Sequence, residues 1–192
     1  VEASTFANAS VSTPAARADR QLVFVPADKL VAGTNTLAVE THLNYRSSSS
    51  MTIDGIVQVV TKGNEPAPAP APNPEPDPAP QPEPDTPLTP DPDKPLEVLD
   101  VSALNFGPFL YSGMYWNYWN SKEAPDAKWN STADLSKWKH GASPLGWGDR
   151  DAGTPFDLPA KDRAITNYFV RDVNFGTLSA DFEVTLNVRV DD

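Results

Sequence analysis

Apolar and polar positions alternate most strictly near the end of the chain. Phe182, Val184, Leu186, Val188 and Val190 interleave with Glu183, Thr185, Asn187 and Arg189, and a period of two puts the apolar set on one face of a β-strand. Ala164 to Val173 reads as a second strand of the same region. Towards the other end, Gln21 to Val25 forms a strand stopped by Pro26, and Ala27 to Leu30 forms one helical turn before Ala32-Gly33-Thr34-Asn35. Thr36 to Leu43 is a strand with Leu37, Val39 and Thr41 on one face and Ala38, Glu40 and His42 on the other. After a polar loop, Asn44 to Ser50, the stretch Met51 to Thr61 places Met51, Ile53, Val57 and Val59 on a single face. Gly55 within it marks a bulge or a close-packing point. The period and the β-branched content exclude helix, so the predicted class is all-β.

Between these blocks, proline occupies every even position from Pro66 to Pro84. Alternating proline removes alternate backbone donors and fixes φ, which leaves polyproline II as the expected state. Interspersed carboxylates extend it further, giving a semi-rigid spacer that rises about 3.1 Å per residue. The chain therefore divides into residues 1–62, an acidic Pro-rich linker at 63–95, and residues 96–192. A small block buries a smaller share of its surface than a large one, so each flanking block is marginal alone and shared burial is favoured.

Charge and composition narrow the class of partner. The formal charge of -11 is concentrated in the linker, where Glu65, Glu75, Asp77, Glu83, Asp85, Asp91 and Asp93 face Lys94 alone. No Lys/Arg patch is visible, which argues against nucleic acid, whose phosphates need clustered cations. No apolar run approaches the roughly 20 residues that span a bilayer. The chain has no cysteine, so it offers no disulfide framework and no thiolate chemistry. It also shows no signal-peptide pattern and begins at Val1. Both features suit a fragment or a processed product. With two histidines and no nucleophile elbow, His-Glu-x-x-His helix or phosphate-binding Gly loop, catalysis finds little support.

The C-terminal block opens with aromatic-dense Phe106 to Trp119, followed by a polar loop through Lys122 to Lys128. Trp129 and Trp138 then bracket Asp134 and Ser136, and Gly141 to Asp149 reads Gly-Ala-Ser-Pro-Leu-Gly-Trp-Gly-Asp. Together with Trp116, Trp119, Thr166 to Phe169 and the final Asp191-Asp192, these residues resemble the opening part of a recurrent accessory module of large secreted bacterial proteins. That module is a galactose-binding-like, jelly-roll β-sandwich often attached to metallophosphoesterases and other hydrolases. Leu30 to His42, Ser47 to Ser50 and Met51 to Asp54 resemble its closing part. Ser143 and Trp147 depart from the family's pattern, which lacks the inserted Ser and carries Tyr at the second position. The resemblance implies an antiparallel β-sandwich built from two partial modules in reversed order, the end of one copy followed by the truncated start of the next. The two parts are then expected to share one core, within a chain or between neighbouring chains.

Candidate sites follow from exposed aromatics and paired acids. Sugar rings present C–H faces that stack on aromatic planes, so Tyr115, Tyr118, Trp119 and Trp147 are the carbohydrate-binding candidates. Alternation splits the aromatic cluster: Tyr115, Asn117 and Trp119 face one way, Trp116 and Tyr118 the other. The competing reading is that about half of these rings fill the core. Asp149 and Asp151, two residues apart before Gly153, offer hard oxygen ligands for Ca²⁺, with a solvated turn as the alternative. Glu40 and His42 share a strand face and suit a salt-linked structural pair, with an acid and base as the alternative.

The expected function is a non-catalytic, secreted or cell-surface accessory module that binds polysaccharide or cell-surface glycan, or spaces neighbouring modules of a larger hydrolase. A self-associating unit completed between chains is the alternative, and a hydrolase fragment the second one.

Overall fold

The structure, a computed structural model, describes residues 2–18, 21–45, 47–61, 90, 92–100, 114–131, 134–177 and 182–191. Among them are ten strands: β1 (Gln21–Val25), β2 (Thr34–His42), β3 (Met51–Thr61), β4 (Leu99–Asp100), β5 (Tyr115–Trp119), β6 (Lys139–Ala142), β7 (Leu145–Trp147), β8 (Thr154–Pro155), β9 (Thr166–Asn174) and β10 (Phe182–Asp191). Helix is confined to the short α1 (Thr13–Ala18) and three single 3-10 turns. Among the described residues the fold is all-β, with antiparallel pairing except for β4 beside β9 and β8 beside β7. No described helix is long and apolar enough to cross a membrane.

One sheet has the order β1-β10-β3-β7-β8, and the other β2-β9-β5-β6 with β4 alongside β9. Pairing between the flanking blocks builds both sheets. β10 lies between β1 and β3, while β2 runs along the whole of β9 from Thr34↔Asn174 to His42↔Thr166. Residues directly opposite in an antiparallel pair share a face. Val184, Leu186 and Val188 accordingly join Ile53, Leu37, Trp116 and Phe169 in one buried cluster drawn from both sheets.

The β3–β10 register is continuous from Phe182↔Thr61 to Asp191↔Thr52, so Gly55 is no bulge. It is a close-packing point, because a Cβ there would meet the indole of Trp116. β2 starts two residues earlier than the alternation suggests. Gly33, at φ +86°, makes the turn before it, and Asn35 clamps that turn by accepting from Val31 N at 2.9 Å and donating to Val31 O at 2.8 Å. β9 is likewise shifted, starting at Thr166 rather than Ala164 and ending at Asn174. Beyond that end, Gly33 N donates to Gly176 O at 2.8 Å and Phe175 N donates to Gly33 O at 3.0 Å. The linker lies outside the described residues apart from Pro90 and 92–95, as do Phe106 and Tyr111 of the aromatic stretch.

Candidate functional site: the hollows flanking Trp119

β5 decides which aromatic rings go inward. Its register, Tyr118↔Phe169 and Trp119↔Tyr168 against β9 and Tyr118↔Lys139 against β6, places Tyr118 with the core and Trp119 on the opposite face. Trp116 is 1% exposed and Tyr118 is 9% exposed. Tyr118 stacks on Phe156 with ring centroids 4.6 Å apart, and its burial raises the phenol pKa above 10.0. Tyr115 is half-buried and tilted against His140 at 6.4 Å.

Trp119 is held from two sides. Its Nε1 donates to Glu123 O at 2.7 Å, locking the start of the following loop to the ring. It packs tilted against Trp138, at a centroid distance of 5.9 Å and an interplanar angle of 46°. Trp138 is placed by the 3-10 turn Leu135–Lys137, which Asp134 caps by accepting from Ser136 N at 2.9 Å. The Ser136 backbone N–H, then its hydroxyl, hold the Asp134 carboxyl below its ordinary value, with a smaller contribution from Lys137.

Two hollows adjoin this indole. The larger, about 530 Å³, is walled by Tyr118, Trp119, Lys122, Glu123, Lys137, Lys139, Leu158 and Asp162, together with Asn120 and Ser121. The smaller, about 400 Å³, is walled by Trp119, Pro125, Asp126, Asp134, Lys137 and Trp138, together with Ala124. Trp119 and Lys137 line both. A surface ion pair, Lys122 Nζ to Asp162 Oδ1 at 3.3 Å, ties the two rims of the larger one.

The other predicted site residues go elsewhere. Trp147 lies in β7, in the other sheet, and is 5% exposed. Its Nε1 donates to Ser48 O at 3.3 Å, and the Arg163 guanidinium sits 4.7 Å above its ring. Trp147 and Tyr118 therefore belong to the core, and Tyr118 reaches the larger hollow only from beneath. Asp149 is no solvated turn residue. Its carboxylate accepts from Arg189 Nη2 at 3.2 Å with both side chains almost fully buried, and it also accepts from Asp151 N at 3.0 Å. The Asp149 carboxylate is thus engaged by the Arg189 guanidinium at one oxygen and by the Asp151 N–H at the other. No group of three acids or histidines placed to hold a metal occurs among the described residues. Glu40 and His42 form a structural pair. His42 Nε2 lies 3.3 Å from Glu40 Oε1, while Nδ1 lies 2.8 Å from Thr5 O and 3.0 Å from Thr166 Oγ1. Thr166 Oγ1 in turn donates to Ala3 O at 2.7 Å, pinning the N-terminal segment to the start of β9.

Sequence reasoning missed the lysines and Trp138 as site residues. The signal was the run Lys137-Trp138-Lys139, which alternation alone assigns to a solvated strand. Cross-strand register is what carries Lys139 to the side of Tyr118. No family model, curated protein or solved structure matches the chain.

Proposed function

We propose that the chain is a non-catalytic module of a secreted or cell-surface protein, that its sheets form a jelly-roll, galactose-binding-like β-sandwich, and that it binds polysaccharide around Trp119. The reading rests on one observation: an indole fixed by Glu123 O and Trp138 walls hollows of about 530 and 400 Å³. A rigid ring loses little entropy when a sugar stacks on it. The sandwich is supported by the single core fed from both sheets, and the secreted setting by the resemblance of the opening and closing motifs. On this reading residues 1–62 close one repeat, residues 96–192 open the next, and the acidic segment at 63–95 is a spacer.

Titration of the full chain against a panel of soluble polysaccharides, with and without Ca²⁺, tests the reading. Binding that Trp119→Ala weakens at least tenfold supports it. Failure to bind any polysaccharide rejects the targeting role.

A second reading, self-association between chains, is favoured by β1, which is the outer strand of its sheet among the described residues. Val23 and Phe24 on it are 49% and 62% exposed. An uncovered, partly apolar edge strand is a template for pairing with a second copy.

A further inference from the structure

We infer that the larger hollow beside Trp119 takes an anionic sugar unit, one bearing a carboxylate or a sulfate. This deepens the polysaccharide reading and rests on it. Three ammonium groups, from Lys122, Lys137 and Lys139, line the hollow against the carboxylates of Glu123 and Asp162. Those charges are not equivalent. Lys122 is engaged with Asp162 at 3.3 Å, and Lys137 is close enough to Asp134 to lower its carboxyl pKa. Lys139 has no ion pair among the described residues. It pairs with Tyr118 across β5 and β6, and both line the larger hollow together with Trp119.

The arrangement is therefore an aromatic wall with a cation beside it, on a protein whose formal charge is -11. At long range such a protein repels polyanions, so general electrostatics would favour a neutral polymer. A preference for the charged form must come from local contacts, because repulsion between exposed charges is screened beyond a distance of about 8 Å at physiological ionic strength. A sugar stacked on Trp119 with its anionic group towards Lys139 would gain a charge-assisted hydrogen bond that a neutral sugar lacks.

Paired polymers that differ only in charge provide the test. Polygalacturonate is compared with its fully methyl-esterified form, and dextran sulfate with dextran, using the full chain, Lys139→Gln and Trp119→Ala in titration calorimetry. The expected result is that at least one charged polymer binds about fivefold or more tighter than its neutral partner, and that Lys139→Gln removes the difference. Trp119→Ala should weaken both members of that pair. Unchanged near-ultraviolet circular dichroism verifies that Lys139→Gln is folded. Equal or tighter binding of both neutral polymers overturns the anionic preference and leaves the polysaccharide reading standing. A charged preference that Lys139→Gln does not alter overturns the placement of the anion beside Lys139. Absence of binding to all four polymers and to the neutral panel removes the polysaccharide reading and this inference with it.

Discussion

Gly55 lies against the indole of Trp116, so close that a Cβ at residue 55 would stand 2.7 Å from Trp116 Cζ2. The contact joins β3 of one sheet to β5 of the other, and it explains why a glycine interrupts an otherwise β-branched strand. The indole cannot move aside, because it is buried in the shared core. Gly55→Ala is therefore expected to destabilise by about 1–3 kcal/mol through overpacking, and Trp116→Ala by about 3–5 kcal/mol through the cavity it leaves. Gly55→Ala with Trp116→Phe should cost less than the sum, since the smaller ring accepts the methyl group. Thermal unfolding of the wild type, Gly55→Ala, Trp116→Phe and the double variant measures the coupling; strict additivity would refute it.

The strand pairs predict that residues 1–62 do not fold alone, whereas residues 96–192 keep the pairs β4–β9, β5–β9, β5–β6 and β7–β8 to themselves. β1 pairs with β10, β2 with β9, and β3 with β10 and β7, so no two strands of residues 1–62 pair with each other. Isolated, that block has no ladder to satisfy its backbone groups. A peptide covering residues 1–62 should show weak β signal by circular dichroism, and one covering residues 96–192 should keep β signal but lack a cooperative unfolding transition, since β10 loses both of its partners. Mixed in equal amounts, they should co-elute and regain a cooperative unfolding transition. Cooperative unfolding of residues 1–62 alone would contradict the pairing.

Asp149 and Arg189 make a buried ion pair whose members stand far apart in sequence. Removing one partner strands the other charge in a low-dielectric site, so Asp149→Asn is expected to cost about 3–5 kcal/mol. Joint replacement by Asp149→Leu and Arg189→Met should cost much less, because no charge is left unpaired. Chemical denaturation of the single and double variants decides, and a double variant no more stable than Asp149→Asn would show that the pair is not the operative contact.

How much of this was legible in the chain differs from strand to strand. β2, β3 and β10 follow directly from alternation, since each is long and carries β-branched residues at period two. β6 and β7 do not. Lys-His-Gly-Ala has no apolar alternation, and all three residues of Leu-Gly-Trp are buried, so neither presents the half-wet face that periodicity detects. The same limit governs the site. Trp119 was recognisable as an outward aromatic of β5, whereas Trp147 took its core position from β3 and β8 on either side. Lys139 reaches the hollow through register with Tyr118, and Arg189 finds Asp149 across the fold. Neither partnership leaves a local pattern.

The cap beneath Trp138 gives a pH dependence with a defined sign. Hydrogen bonds from Ser136 hold the Asp134 carboxyl below 3.8. A depressed carboxylate contributes stability that is present above its unfolded value and lost as pH falls through its folded value. The Trp119–Trp138 packing should thus persist at about pH 4 and loosen only in stronger acid. The near-ultraviolet dichroism that Trp138→Phe removes from the wild-type spectrum reports on this pair. Its loss well above pH 4, or its retention unchanged in Asp134→Ala, would remove Asp134 as the anchor.

The outer edge of β1 carries the prediction that separates a module acting alone from one completed between chains. Val23 faces the side on which its cross-strand partner Leu186 enters the core, yet it is 49% exposed. Among the described residues nothing pairs with the outer side of β1, and another strand there would both extend the ladder and cover Val23. Natural edge strands suppress such pairing with inward-pointing charge. Val23→Lys supplies that charge without touching Trp119 or Lys139. Light scattering of the wild type across a concentration series should show rising mass, and Val23→Lys should stay monomeric with polysaccharide binding intact. A wild type that remains monomeric throughout would exclude completion between chains at β1.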